Sequence, residues 1–143
     1  MSTTTREQFI DRLNNNWQPY PNHFQCLSPE AQSAFLQKQG YATFPQLLAH
    51  IIAWWQDGAQ MIEQMRENPS LPLPNYNVDD FNARAVRQFA SMDEAGIFQA
   101  YEAQRLAMLH LVTNLPNNQL AQENINTRLY YEIMAHWTEH LLE

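Results

Sequence analysis

The amino-acid sequence predicts an all-α protein, a bundle of four main helices in a single domain over residues 1–143. Three observations carry that expectation. Hydrophobic residues make up 45% of the chain and charged residues only 16%, enough apolar surface for a real core. Apolar residues recur at helical rather than alternating spacing. There are only three glycines and few β-branched runs, so nothing reads as a sheet.

The first helix is expected from Thr4-Thr5-Arg6-Glu7, a Thr-x-x-Glu capping box. Phe9, Leu13 and Trp17 then share one face, and Pro19 and Pro21 should kink or end the helix. His23 to Leu27 reads as an irregular or partly helical connection. Ser28-Pro29 is an N-cap followed by a first helical residue, opening a short helix that stops near Gly40. Helix 2 begins at Thr43-Phe44-Pro45-Gln46 and runs to about Glu67. Its core stripe is Leu47, Ile51, Trp54, Gly58, Ile62 and Met65, with His50 on the flank beside Trp54 and Asp57. Gly58 inside the stripe suggests a close approach of another helix.

Residues 68–75, Asn-Pro-Ser-Leu-Pro-Leu-Pro-Asn, form a proline-rich crossover rather than a domain boundary. Helix 3 starts near Val78-Asp79 and breaks near Ser91, where Ser91-Met92-Asp93-Glu94 is a further capping box. It continues through Phe98, Leu106, Leu109 and Val112 to Leu115, and Pro116-Asn117-Asn118 ends it. Helix 4 spans roughly Thr127 to Glu143. No internal repeat is present.

Charge and cysteine content narrow the function. The net charge is −7 and no Lys/Arg-rich run occurs, which argues against a nucleic-acid partner. The lone cysteine, Cys26, excludes an intramolecular disulfide framework and a cysteine-based zinc site, and a reducing cytoplasm is the expected location. It reads as a small apolar filler, since no activating partner is visible. The first seven residues hold no apolar signal core, and no run reaches the roughly 18 apolar residues of a membrane span.

The chemistry concentrates in helix 4. His136 and His140 are four residues apart, so both rings lie on one helical face, in the stripe of Leu129 and Ile133 that should face the core. Inward-pointing imidazoles need partners for their nitrogens. Tyr, Asn or Glu side chains from neighbouring helices would satisfy them, and so would a metal ion. Among the remaining histidines, His50 lies near a strong core pattern, His110 looks like a helix-flank residue and His23 sits in a proline-broken segment. His50, His136 and His140 are therefore the best three-ligand set. Three neutral imidazoles with an open fourth position suit catalytic zinc, and also nickel, iron or cobalt. Glu132, Glu139 and Glu143 line one edge of the histidine stripe, where a carboxylate can orient a ligand or act as a base. Trp54, Asp57 and Trp137 are expected as pocket residues.

A resemblance adds to this reading. Gly40-Tyr41-Ala42-Thr43-Phe44-Pro45-Gln46-Leu47-Leu48-Ala49-His50-Ile51-Ile52-Ala53-Trp54 resembles the Gly-Trp-Ser-x-x-x-x-Leu-x-His-x-x-x-Trp segment of the DinB/YfiT-like metalloenzyme superfamily. Tyr76 to Ala83 and the restart at Ser91 resemble its ClbS/DfsB-like branch. Met134-Ala135-His136-Trp137-Thr138-Glu139-His140 is similar to its C-terminal His-x-x-x-His helix. Tyr41 stands where that pattern has Trp, and Pro19 and Pro21 interrupt helix 1; both bear on pocket shape.

The resemblance implies a four-helix bundle of the DinB/YfiT-like type in which His50, His136 and His140 hold a divalent ion (Zn, Ni or Fe). It implies a small-molecule substrate, hydrolysis or thiol (S-) transfer with a low-molecular-weight thiol such as bacillithiol, mycothiol or glutathione, and a bacterial setting in detoxification or stress protection. The ClbS/DfsB branch does not depend uniformly on the triad, so the rival expectation is a non-catalytic bundle, possible as a homodimer, that binds or sequesters a small molecule.

Overall fold

The computed structural model describes residues 3–142, whose regular structure is all helical, with no β-strand among them. Glu143 lies outside the described residues. The elements are α1 (Arg6–Arg12), α2 (Tyr20–Gln25), α3 (Pro29–Gln39), α4 (Phe44–Glu67), α5 (Val78–Gln88), α6 (Glu94–Asn114), α7 (Asn117–Leu120), α8 (Glu123–Leu129) and α9 (His136–Glu139). Two wider π-helical turns, Leu13–Trp17 and Tyr130–Ala135, continue α1 and join α8 to α9.

Local chemistry explains most boundaries. Thr5 caps α1 by accepting from Gln8 N–H while the Gln8 side chain accepts from Thr5 N–H. The capping box therefore sits one residue after the expected Thr4–Glu7 pair. Pro19 precedes α2, and Pro21 falls in its first turn, where a missing N–H costs nothing. The expected irregular connection thus contains a true helical turn. Ser28 caps α3, and Gly40 ends it at φ 83°, a left-handed conformation that favours glycine. Thr43 caps α4, whose 24 residues match the expected span.

The expected break in helix 3 occurs, but Asp93 rather than Ser91 is the cap: its carboxylate accepts from Gly96 N–H at 2.7 Å. The buried face of α6 is Ile97, Tyr101, Met108 and Val112, whereas Leu106 is exposed. Similarly Trp55, not Trp54, occupies the α4 core stripe, with Trp54 half-buried. In both helices the true stripe is set by the neighbours each packs against.

Helix α4 is the central element, packed against α6, α8, α5 and the second π turn, while α1 packs on α6 and on that same turn. The core between them holds Phe9, Leu13, Trp17, Leu47, Ile51, Trp55, Ile62, Tyr101, Met108, Leu129 and Ile133, all buried. At Gly58, α4 approaches the α8–α9 rod closely. A Cβ there would stand 3.0 Å from Glu132 Cγ.

Helix 4 is not the continuous α-helix expected from Thr127 onward. It begins at Glu123 and widens at Tyr130 before closing again at His136. Two buried indoles hold the widened turn. Trp55 Nε1 donates to the Glu132 carbonyl at 3.0 Å, and Trp17 Nε1 donates to the Ile133 carbonyl at 2.9 Å. Carbonyls that a π turn leaves off the regular i→i−4 ladder need donors when buried, and these tryptophans supply them. Tyr20 Oη then donates to the His140 carbonyl at 2.7 Å, fixing the end of α9. None of the helices is long and apolar enough to cross a membrane among the described residues.

Candidate metal centre

The widened turn delivers His136 and His140 to one face of the rod, with ring centroids 4.6 Å apart. His50 comes from the second turn of α4, and it is buried rather than on the flank of its helix. The three rings converge. His50 Nε2 stands 3.1 Å from His140 Nε2 and 3.1 Å from His136 Nε2. The three residues offer ligand atoms all within 4.8 Å of one another. Two nitrogens on one tetrahedral zinc, each at 2.0–2.1 Å, stand about 3.3 Å apart. The spacing therefore fits a single ion.

The ring tautomers follow from partners that can play only one role. Trp54 Nε1 can only donate, and it donates to Asn82 Oδ1 at 2.8 Å. That atom is therefore an acceptor, so His50 Nδ1, 2.9 Å from it, carries a proton. On the other side, Gln39 Nε2 donates to the Glu139 carbonyl at 3.0 Å. Gln39 Oε1 is thus left to accept from His140 Nδ1–H at 2.7 Å. In neutral His50 and His140 both Nε2 atoms are then bare lone pairs, pointing at each other across 3.1 Å. Two acceptors cannot satisfy one another; a cation between them can.

His136 differs. Its buried Nδ1 makes no close hydrogen bond and faces acceptors of Glu132, the backbone carbonyl and Oε1, the latter at 3.8 Å. Glu132 is itself buried and accepts from Arg128 Nε at 2.8 Å through its other oxygen. Arg128 also donates to Tyr76 Oη at 2.8 Å and to Asp57 Oδ2 at 3.0 Å, and Tyr76 Oη donates to Asp57. A continuous polar chain thus runs from His136 through Glu132 and Arg128 to Asp57 and the end of the proline crossover.

Burial dominates the electrostatics. It pushes His50 down to about 4, opposed by the hydrogen bond to Asn82, and His140 down to about 3, with His50 adding to the effect. His136 is held well below its ordinary value by burial and then by the other two rings, opposed by a hydrogen bond to the Glu132 carbonyl. All three are neutral near pH 7, the state a metal requires. Burial raises Glu132 to about 7, against the Arg128 guanidinium, which favours its charged form.

The remaining expected site residues fall around this centre in distinct places. Trp54 stacks on Phe81 with centroids 3.9 Å apart and orients Asn82. Asp57 pairs with Arg128, away from the rings. Trp137 packs edge-on against Trp17 and Tyr20. Glu139 is exposed and meets the site through its carbonyl, which accepts from Gln39. His23 and His110 lie at the surface.

Three residues that sequence reasoning did not single out matter most here: Gln39, Asn82 and Arg128. Asn82 and Gln39 come from α5 and the end of α3, so no spacing on α4 or α9 announces them. Only Arg128 carried a local signal, an i,i+4 pair with Glu132. Gln39, Tyr41, Gln46, Asn82 and Arg87 line an open cleft of about 550 Å³ that no histidine lines, and two of them are the residues that orient His140 and His50.

No protein-family model, curated protein or solved structure matches this chain.

Proposed function

We propose that the chain is a metal-dependent enzyme acting on a small molecule by hydrolysis or by thiol transfer to an electrophile, with the four-helix-bundle architecture of the DinB/YfiT-like superfamily. One observation carries the reading: three imidazole Nε2 atoms meet in the core, and two of them have no proton with which to satisfy the third or each other. The sequence resemblance at His50, His136 and His140 supports it independently.

In this reading the three histidines hold the ion, and Asn82 and Gln39 hold His50 and His140 in the ligating tautomer. A divalent ion bound there supplies Lewis acidity and lowers the pKa of the group it coordinates. The cleft lined by Gln39 and Asn82 offers room for a small molecule one residue removed from His140 and His50. Glu132 is the buried carboxyl next to the ligands, paired with Arg128, whereas Glu139 offers a carboxylate from the solvent side.

A second reading rests on closure of the site. His50, His136 and His140 are only 7%, 5% and 5% exposed, which suits a protein that binds or sequesters a ligand without turning it over.

The test is metal content followed by activity. Protein loaded with zinc, nickel or iron and dialysed should retain about one ion per chain, and alanine at any of the three histidines should abolish retention. Loaded protein is then assayed with activated esters and with electrophiles in the presence of thiols. Turnover lost in the same three variants supports an enzyme. Ion retention with no turnover on either substrate class favours the sequestering protein, and no retained ion defeats both forms of the metal reading.

A further inference from the structure

Two cavities adjoin along the seam between α4 and α5. One is the open cleft of about 550 Å³ that Asn82 lines, and the other, of about 220 Å³, lies toward the start of α6. Gln46 and Val86 line both, so the cavities meet at these two side chains. Their walls differ. The smaller is walled by Val86, Phe89, Ala90, Met92 and Ile97. Beside Gln46, its polar lining residue is Thr43, whose hydroxyl accepts from Gln46 N–H as the cap of α4.

The larger cleft is polar, and the orientation of its amides follows from partners with only one role. Trp54 Nε1 donates to Asn82 Oδ1 at 2.8 Å, and Ala42 N–H donates to Gln46 Oε1 at 3.1 Å. Both amide oxygens are thus occupied. Neither NH2 group has a partner among the described residues, and neither is sealed in the core, so each opens onto a cavity that its side chain lines. Arg87 adds an exposed guanidinium with no ion pair among the described residues. Asp79 is the carboxylate in the lining, but it lies about two turns before Arg87 on α5, roughly 12 Å along the helix axis. The end of the cleft where Gln46, Val86 and Arg87 meet therefore presents N–H donors and positive charge. Such a lining recognises an acceptor, and best an anionic one, because charge-assisted hydrogen bonds are the strong ones and a guanidinium matches a planar carboxylate. The apolar cavity opening at Gln46 takes whatever the carboxylate carries.

We propose that this seam binds a small carboxylate with an apolar tail: Asn82, Gln46 and Arg87 donate to the carboxylate, and the tail enters the pocket of Val86, Phe89, Met92 and Ile97. Asn82 also meets His50 Nδ1 at 2.9 Å through its oxygen, so the polar end of the ligand lies one side chain from the histidine centre. As the substrate class of that centre, the proposal rests on the metal-enzyme reading; as a binding site it needs no ion.

The test is a set of ¹H–¹⁵N correlation spectra of metal-free protein titrated with hexanoate, acetate and hexylammonium. Hexanoate should shift the backbone amides of Gln46 and of α5 from Asn82 onward. It should bind more tightly than acetate by about fourfold for each methylene that enters the pocket. Hexylammonium has the same tail and the opposite charge, and should bind about tenfold more weakly than hexanoate. Arg87→Gln should weaken hexanoate by about tenfold, the loss of a hydrogen bond to a charged group. Gln46→Glu keeps an oxygen for Ala42 N–H and sets a negative charge where the NH2 group stood, so it should reverse the preference toward hexylammonium. Ala90→Phe, at an exposed position, should erase the advantage of hexanoate over acetate. Absent hexanoate binding, equal binding of hexanoate and hexylammonium, or unchanged hexanoate affinity in folded Arg87→Gln and Gln46→Glu proteins overturns the proposal. The wild-type titrations decide the matter even if no variant folds. Zinc retention is measured on the same preparations. Hexanoate binding by a protein that retains no zinc removes the metal reading and leaves this site standing; zinc retention without hexanoate binding does the reverse.

Discussion

Burial sets the behaviour of individual residues here, and it does so with opposite signs for the two kinds of group around the centre. His50 at about 4 and His140 at about 3 lie far below the ordinary histidine value of about 6.5. Below pH 6.5 the unfolded chain takes up protons that the folded chain refuses. These rings therefore contribute stability that is complete above about 6.5 and is lost as pH falls toward 4. His136 acts in the same direction. Glu132, raised to about 7, works the other way: its contribution is present below the ordinary carboxyl value of 4.5 and is lost as pH rises through 7. The other groups facing the rings, Asn82, Gln39, Trp17 and Tyr41, do not titrate in this range, Tyr41 being pushed up to about 12 by burial. Three rings oppose one carboxyl, so the melting temperature of metal-free protein should fall between pH 6.5 and 4.5. Thermal melts followed by circular dichroism check this, and a flat or rising profile toward acid would contradict the neutral buried triad.

At the scale of elements, the α8–α9 rod and α4 are the pair that matters, and Gly58 governs how closely they meet. Alanine in an exposed helix interior is better than glycine by about 1 kcal/mol. At Gly58 that gain is opposed, because the added Cβ would lie 3.0 Å from Glu132 Cγ and 3.5 Å from Arg128 Nε. Glu132 is buried and tied to Arg128, so it has little freedom to yield. Overpacking of this kind costs about 1–3 kcal/mol. Gly58→Ala should therefore leave the melting temperature unchanged or lower it, and it should weaken zinc binding by displacing Glu132. A stabilised variant with normal zinc affinity would show that the contact relaxes freely. The caps and ends of α3 and α4 could be read from Ser28, Gly40 and Thr43 because each acts on its own neighbours. The cap at Asp93 does not follow from the sequence, where Ser91-Met92-Asp93-Glu94 fits a capping box; the structure has Asp93 accept from Gly96 N–H instead.

For the whole molecule, the question is how much depends on the ion. The core of Trp17, Trp55, Tyr101, Leu129, Ile133 and their neighbours is complete without it, so metal-free protein should remain folded. An ion that binds only the folded state adds stability by mass action, about 2.7 kcal/mol when free metal is 100 times Kd. Adding a chelator to metal-loaded wild type should lower the melting temperature by several degrees, and the same addition should leave His136→Ala unchanged. Equal shifts in both proteins would place the ion elsewhere.

The sequence by itself determined the helical class, the α3 and α4 boundaries, the proline crossover and the close approach at Gly58, because each follows from interactions within a few residues or from a periodic apolar stripe. It also singled out His50, His136 and His140, by the i,i+4 spacing of one pair and the core pattern beside the third, with the resemblance added to both. Tertiary structure alone decided which indole enters the α4 core, where the last helix widens, and which ring nitrogens carry protons. Those outcomes depend on Trp17, Gln39, Trp55 and Asn82, which approach from other elements at separations of up to 116 residues. A spacing rule reaches one turn along a helix, whereas the state of a buried imidazole is set by whatever donor or acceptor the fold brings to its far side.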